Sequence, residues 1–68
     1  MRVTAELHPS RETKDVELPA RADGYALMGK LGLAPDVHIL VRGDVPIPID
    51  EELRDGERLR VISVVSGG

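Results

Sequence analysis

Cysteine is absent from these 68 residues, and Tyr25 is the one aromatic side chain. Without thiols the chain forms no disulfide, no thiolate metal centre and no cysteine nucleophile. Positive charge is in deficit, with nine Lys and Arg against twelve Asp and Glu and a net charge of −3. A broad basic surface for direct nucleic acid binding is therefore not expected. Long apolar runs are missing as well. Ile39-Leu40-Val41 is typical of those present, whereas a bilayer-spanning helix takes about 20 residues. The first residues alternate and carry Glu6, unlike a secretory signal. Size is a further limit, because below roughly 70–80 residues one core supplies only about 3–5 kcal/mol. A large self-sufficient active site would be hard to build on so little scaffold. What is present, 41% apolar and 31% charged residues, describes a folded chain rather than a disordered one. The expectation is a soluble, cytoplasmic single domain with no membrane partner.

Patterning divides the chain into short elements. Met1, Val3, Ala5 and Leu7 alternate with polar residues, the period of a half-buried strand. His8-Pro9-Ser10-Arg11 reads as a turn, and a second strand over Thr13 to Leu18 turns Val16 and Leu18 inward. A helix follows. Asp23 caps it, Leu27, Met28 and Leu31 share one face, Gly32 suits the left-handed position after its end, Leu33 folds back on the last turn, and Pro35 stops it. Gly24 and Gly29 each weaken this helix by roughly 0.5–1 kcal/mol relative to Ala. Val37 to Arg42 forms the third strand, with Val37, Ile39 and Val41 expected on one face and His38, Leu40 and Arg42 on the other. Gly43-Asp44 makes a turn into Val45-Pro46-Ile47-Pro48-Ile49, whose two prolines suit a solvent-facing edge. Asp55-Gly56 makes a second tight turn, and Arg58 to Val65 is the last strand. One helix covering one face of a mixed sheet of four or five strands is an α+β layout.

The chain then reaches Ser66-Gly67-Gly68. Residues without side chains thread through narrow channels and leave an α-carboxyl group sterically open. A carboxylate is a poor electrophile, but adenylation makes it an anhydride that sulfur or an amine attacks. The plainer reading of the same two glycines is a frayed chain end.

The stretch from Val37 to Gly68 resembles the C-terminal half of the ubiquitin-like sulfur carriers. The resemblance is carried by Val41-Arg42-Gly43-Asp44, Leu53, Asp55-Gly56-Glu57 and Val61-Ile62-Ser63-Val64-Val65-Ser66-Gly67-Gly68. The first half fits in length and element order. This family includes the carriers of thiamin and molybdopterin synthesis, the tRNA 2-thiouridine carrier of thermophilic bacteria and the small archaeal modifiers. It implies a β-grasp domain over residues 1–66, with the last strand central and parallel to the first, and a flexible tail at 67–68. It also implies a chain that catalyses nothing and binds no cofactor itself. An adenylating enzyme of the ubiquitin-activating type would use ATP at Gly68, with Gly67 beside it. A sulfurtransferase or thiolation enzyme would then supply or receive sulfur, or a protein lysine would capture the activated glycine. Ile62-Ser63-Val64-Val65 lacks the aromatic residue and prolines of molybdopterin-type carriers. The loop from Pro48 to Asp55 lacks an insertion frequent in thiamin-type carriers. The resemblance thus favours the tRNA-thiolation carriers and archaeal modifiers. Two other readings stand beside it: an interaction module never activated, and a noncatalytic subunit inserting its tail into a partner enzyme, as in a molybdopterin synthase.

With Leu59 and Val61 inward, Arg60, Ile62 and Val64 face outward. Beside them the alternation of the third strand places Leu40 and Arg42, an apolar docking patch with a basic rim. His8 and His38, far apart in sequence, are not expected to hold a metal. Asp50-Glu51-Glu52 reads as a solvated loop, and Gly43 in Arg42-Gly43-Asp44 as a turn residue. Lys14 and Lys30 are the two lysines.

Overall fold

The computed structural model describes residues 1–64. Strand β1 (Arg2–His8) turns back into β2 (Thr13–Glu17), and helix α1 (Gly24–Leu31) follows. A short 3-10 turn (Pro35–Val37) leads into β3 (His38–Arg42), β4 (Val45–Ile47) and β5 (Arg58–Ser63). The five strands form one sheet in the order β2-β1-β5-β3-β4. β5 enters between the others, parallel to β1 and antiparallel to β3. No described helix is long and apolar enough to cross a membrane.

Local chemistry sets the element ends. The Asp23 carboxylate accepts from the Ala26 N–H at 3.0 Å, satisfying one of the unpaired donors at the start of α1. At the other end Gly32 takes φ 71°, and the Leu33 N–H donates to the Met28 carbonyl at 3.0 Å. The Asp55-Gly56 turn is stitched to β1: the Arg2 N–H donates to Asp55 Oδ1 at 2.9 Å and the Gly56 N–H to the Arg2 carbonyl at 2.7 Å. This fixes where β5 begins and hence its register against β1. On the far edge, Pro46 stands opposite Val41, where its missing N–H costs the sheet nothing.

The core lies between the sheet and α1. Val3 and Ala5 of β1, Leu59 and Val61 of β5, and Leu27 and Met28 of α1 are all buried. Leu53 seals the side, its N–H donating to the Ala22 carbonyl at 2.9 Å. Gly24 proves to be required by contact. A Cβ there would press on the Ile49 carbonyl oxygen and stand 2.8 Å from Leu40 Cδ2, so α1 reaches the sheet only because this position is bare. Around Gly29 no atom would meet an added Cβ within 4 Å, and that residue retains only its helical cost.

Candidate functional site

Gly67 and Gly68, the expected site of activation, lie outside the described residues, as does Val65. The structure does show what leads up to them. β5 runs through the middle of the sheet, and beyond it the Val64 N–H donates to the Val37 carbonyl at 3.0 Å. Val37 belongs to the 3-10 turn rather than to β3, which starts one residue later than its apolar alternation predicts.

Two faces border this central strand. On the face away from α1, Arg58, Arg60 and Ile62 project from β5, with Val64 just beyond its end. The predicted patch needs correction here. Leu40 stands opposite Val61 in the register and is 1% exposed: it is a core residue under Gly24, with no surface to offer a partner. Arg42 follows the same alternation to the helix side. There its guanidinium donates to both Glu57 oxygens at 2.8 and 3.1 Å, to Glu51 at 3.4 Å and to the Glu52 carbonyl at 3.2 Å. It clasps the loop before β5 instead of rimming the open face.

The open-face places belong to Ile39, directly opposite Ile62, and Val41, opposite Arg60. Ile39 is 42% exposed and Val64 53%. The patch is thus Ile39, Ile62 and Val64, with Arg60 at its rim. The cause of the error is specific. Ile39-Leu40-Val41 is apolar at three consecutive positions, so alternation says which residues of β3 share a face but not which of the two faces is inward. Register settles the matter by placing Leu40 beside Val61.

Charge is organised along the same face. Glu6 receives Arg58 Nη2 at 3.0 Å and the His8 Nε2–H at 2.7 Å. These hydrogen bonds, Arg58's first, hold its carboxyl below the usual carboxylate range. Arg60 stands 3.8 Å from Asp44. On the helix side, burial pushes the Glu57 carboxyl upward, but the bonds from Arg42 and the Arg54 N–H together outweigh it and leave Glu57 below its ordinary value.

Composition did not reveal a groove of about 430 Å³ at the end of the sheet where β5 leaves. Its floor is Leu7, Leu33 and Val61, and its rim includes His8, Ser10, Glu12, His38 and Ser63. The two histidines, thirty positions apart, therefore border one depression. Their strand positions put them on alternate faces, and each has its own oxygen partner, Glu6 for His8 and the Ala34 carbonyl at 2.7 Å for His38. Among the described residues no cluster of three or more His, Asp and Glu is arranged to hold a metal.

A mixed sheet with parallel first and last strands at its middle, crossed on one face by a single helix, defines the ubiquitin-like β-grasp fold. A ubiquitin of Caldiarchaeum subterraneum superposes with a TM-score of 0.72 over all of this chain and 98% of that one, at 17% identity. SAMP1 of Haloferax volcanii superposes with 0.70 over the whole of both chains, at 20% identity. No protein-family model matches the sequence. The sulfur carrier protein TtuB of Thermus thermophilus is 34% identical over 57 residues, covering 84% of this chain and 88% of TtuB. An uncharacterized protein of Archaeoglobus fulgidus is 31% identical over 58 residues, covering 84% of this chain and 85% of its own. The chain belongs to the ubiquitin-like sulfur carrier family.

Proposed function

We propose that the chain carries sulfur on the α-carboxyl of Gly68 and is itself a substrate rather than a catalyst. The carboxylate attacks the α-phosphate of ATP on an adenylating enzyme, expelling pyrophosphate and forming a glycyl adenylate. The terminal sulfur of an enzyme persulfide then attacks the acyl carbon and expels AMP. A second thiol reduces the resulting acyl disulfide, leaving a thiocarboxylate. Sulfur delivery to tRNA is the favoured outcome, because the sequence lacks the features of molybdopterin-type and thiamin-type carriers. Lysine attack on the adenylate would give an isopeptide bond by the same activation.

The single observation that carries this reading is the 34% identity to a sulfur carrier over 84% of a chain whose central strand leads to two terminal glycines. The open face supports it. Ile39, Ile62 and Val64 form an apolar surface beside Arg60 and Arg58, a combination that suits an enzyme surface of apolar and acidic residues.

Mass spectrometry of the chain incubated with ATP, magnesium, a sulfur donor and its adenylating enzyme tests the proposal. Replacement of one carboxylate oxygen by sulfur is the expected result, lost when Gly68 is deleted. An unchanged mass under conditions that modify a control carrier would instead identify an interaction module that is never activated.

A further inference from the structure

The groove at the end of the sheet lies apart from the open-face patch, and its floor is the margin of the core, Leu7, Leu33 and Val61. We infer that it receives an apolar side chain of the adenylating enzyme, flanked there by a basic residue that meets Glu12. This deepens the proposed activation of Gly68 and rests on it.

The floor is the first ground. Leu7 and Leu33 pack against the core yet remain partly uncovered where α1 ends, so an apolar side chain placed between them removes surface that folding left wet. Position is the second. Val61 and Ser63 of β5 line the groove, and residues 65–68 span at most about 14 Å even when fully extended. An enzyme holding the Gly68 carboxyl at its nucleotide therefore stands against this end of the molecule.

Charge supplies the third ground. Among the described residues that line the groove, Glu12 is the one with a formal charge. Lys14 Nζ stands 4.0 Å from it and exposed, a weak pairing in water. The groove thus favours a cation, whereas on the open face Arg60, whose carboxylate neighbour Asp44 is fully exposed at 3.8 Å, favours an anion; Arg58 is already held by Glu6. Two docking points of opposite charge preference, on different sides of β5, fix the rotation of the carrier about that strand. They thereby fix the direction from which the tail enters the nucleotide site.

The test uses the full chain and the ubiquitin-activating-type adenylating enzyme encoded in the same genome, with ATP–pyrophosphate exchange measured against carrier concentration. Glu12→Lys reverses the rim charge and Ser10→Trp fills the opening; both positions are exposed, and thermal melts verify folding. Each is expected to raise KM about 10-fold with kcat within about 2-fold of wild type, the signature of lost docking rather than lost chemistry. Asp50→Lys, the same charge change on the loop near the start of α1, is expected to leave both constants unaltered. Wild-type exchange with no KM change in Glu12→Lys and Ser10→Trp overturns the groove alone. No exchange by wild type overturns the activation reading and this inference with it. Concentration-dependent self-association abolished by Ser10→Trp would assign the groove to a second copy and also overturn the inference.

Discussion

The two faces of the sheet are built from the same strands and obey different rules. Toward α1, Leu40, Leu59 and Val61 meet Leu27 and Met28 in a core that, among the described residues, buries no polar or charged one. Away from α1, the alternate positions on those strands hold Ile39, Ile62, Arg58 and Arg60, and β1 contributes Glu6 between Arg58 and His8. Substitution is tightly constrained on the first face because packing is three-dimensional there. On the second, Val41 is still covered at 6% exposure and Glu6 is tied to Arg58 and His8, while Ile39 and Val64 are open to whatever docks. The contrast is sharpest in β3, where neighbouring residues fall on opposite sides of it.

Leu40→Ala should have the largest effect, about 2–5 kcal/mol lost in denaturant unfolding, since it opens a cavity under α1. A loss below about 1 kcal/mol would mean that Leu40 lies on the surface and that the faces are misassigned. Glu57→Gln should follow at roughly 1.5–3 kcal/mol, because Arg42 loses its main charged partner in a setting where the Glu57 side chain is only 12% exposed. The pH dependence has a definite sign. Glu57 has a depressed folded pKa, so its contribution is complete above the ordinary glutamate value of about 4.3 and disappears as pH falls through the lower folded value. Urea midpoints measured from pH 7 down to pH 3 should therefore fall less steeply in Glu57→Gln than in wild type.

Gly24→Ala should cost about 1–3 kcal/mol through overpacking against Ile49 and Leu40. Equal melting temperatures for that variant and wild type would show that α1 does not sit as close to the sheet as described. Ile39→Thr, on the open face, should cost under about 1 kcal/mol while raising the KM for adenylation; unchanged kinetics would remove Ile39 from the docking patch. Gly29→Ala closes the series with a gain of about 0.5–1 kcal/mol in chemical denaturation, as the new methyl meets nothing.

Much of the architecture was legible because it is local. Alternation in β1, the Asp23 cap, Gly32 and Pro35 after α1, and the Asp55-Gly56 turn each depend on residues within a few positions of one another. All appear where the residue types predict, within a residue or two. Pro46 marked an edge strand for the same kind of reason, since a missing N–H is a property of one residue. The docking patch was only partly legible: Arg60, Ile62 and Val64 were placed outward by alternation with Leu59 and Val61, whereas Leu40 and Arg42, expected beside them, turn to the helix side. Gly24 looked like a weak point in a helix until Ile49, twenty-five positions on, was seen against it.

Sequence by itself therefore determined the order of strands and helix, their caps and turns, the inward residues of β1 and β5, and the likeness to sulfur carriers that Gly67-Gly68 first suggested. Those properties follow from backbone dihedral preferences and short-range hydrogen bonds, which a few adjacent residues settle among themselves. Only tertiary structure decided which side of β3 is buried, that Arg42 clasps Glu57, that Gly24 must be bare, and that Leu7, Leu33 and Val61 share an open groove. Each of these joins residues far apart along the chain. Strand register and helix seating choose such contacts by packing all of the apolar side chains at once, and no short window of sequence contains that choice.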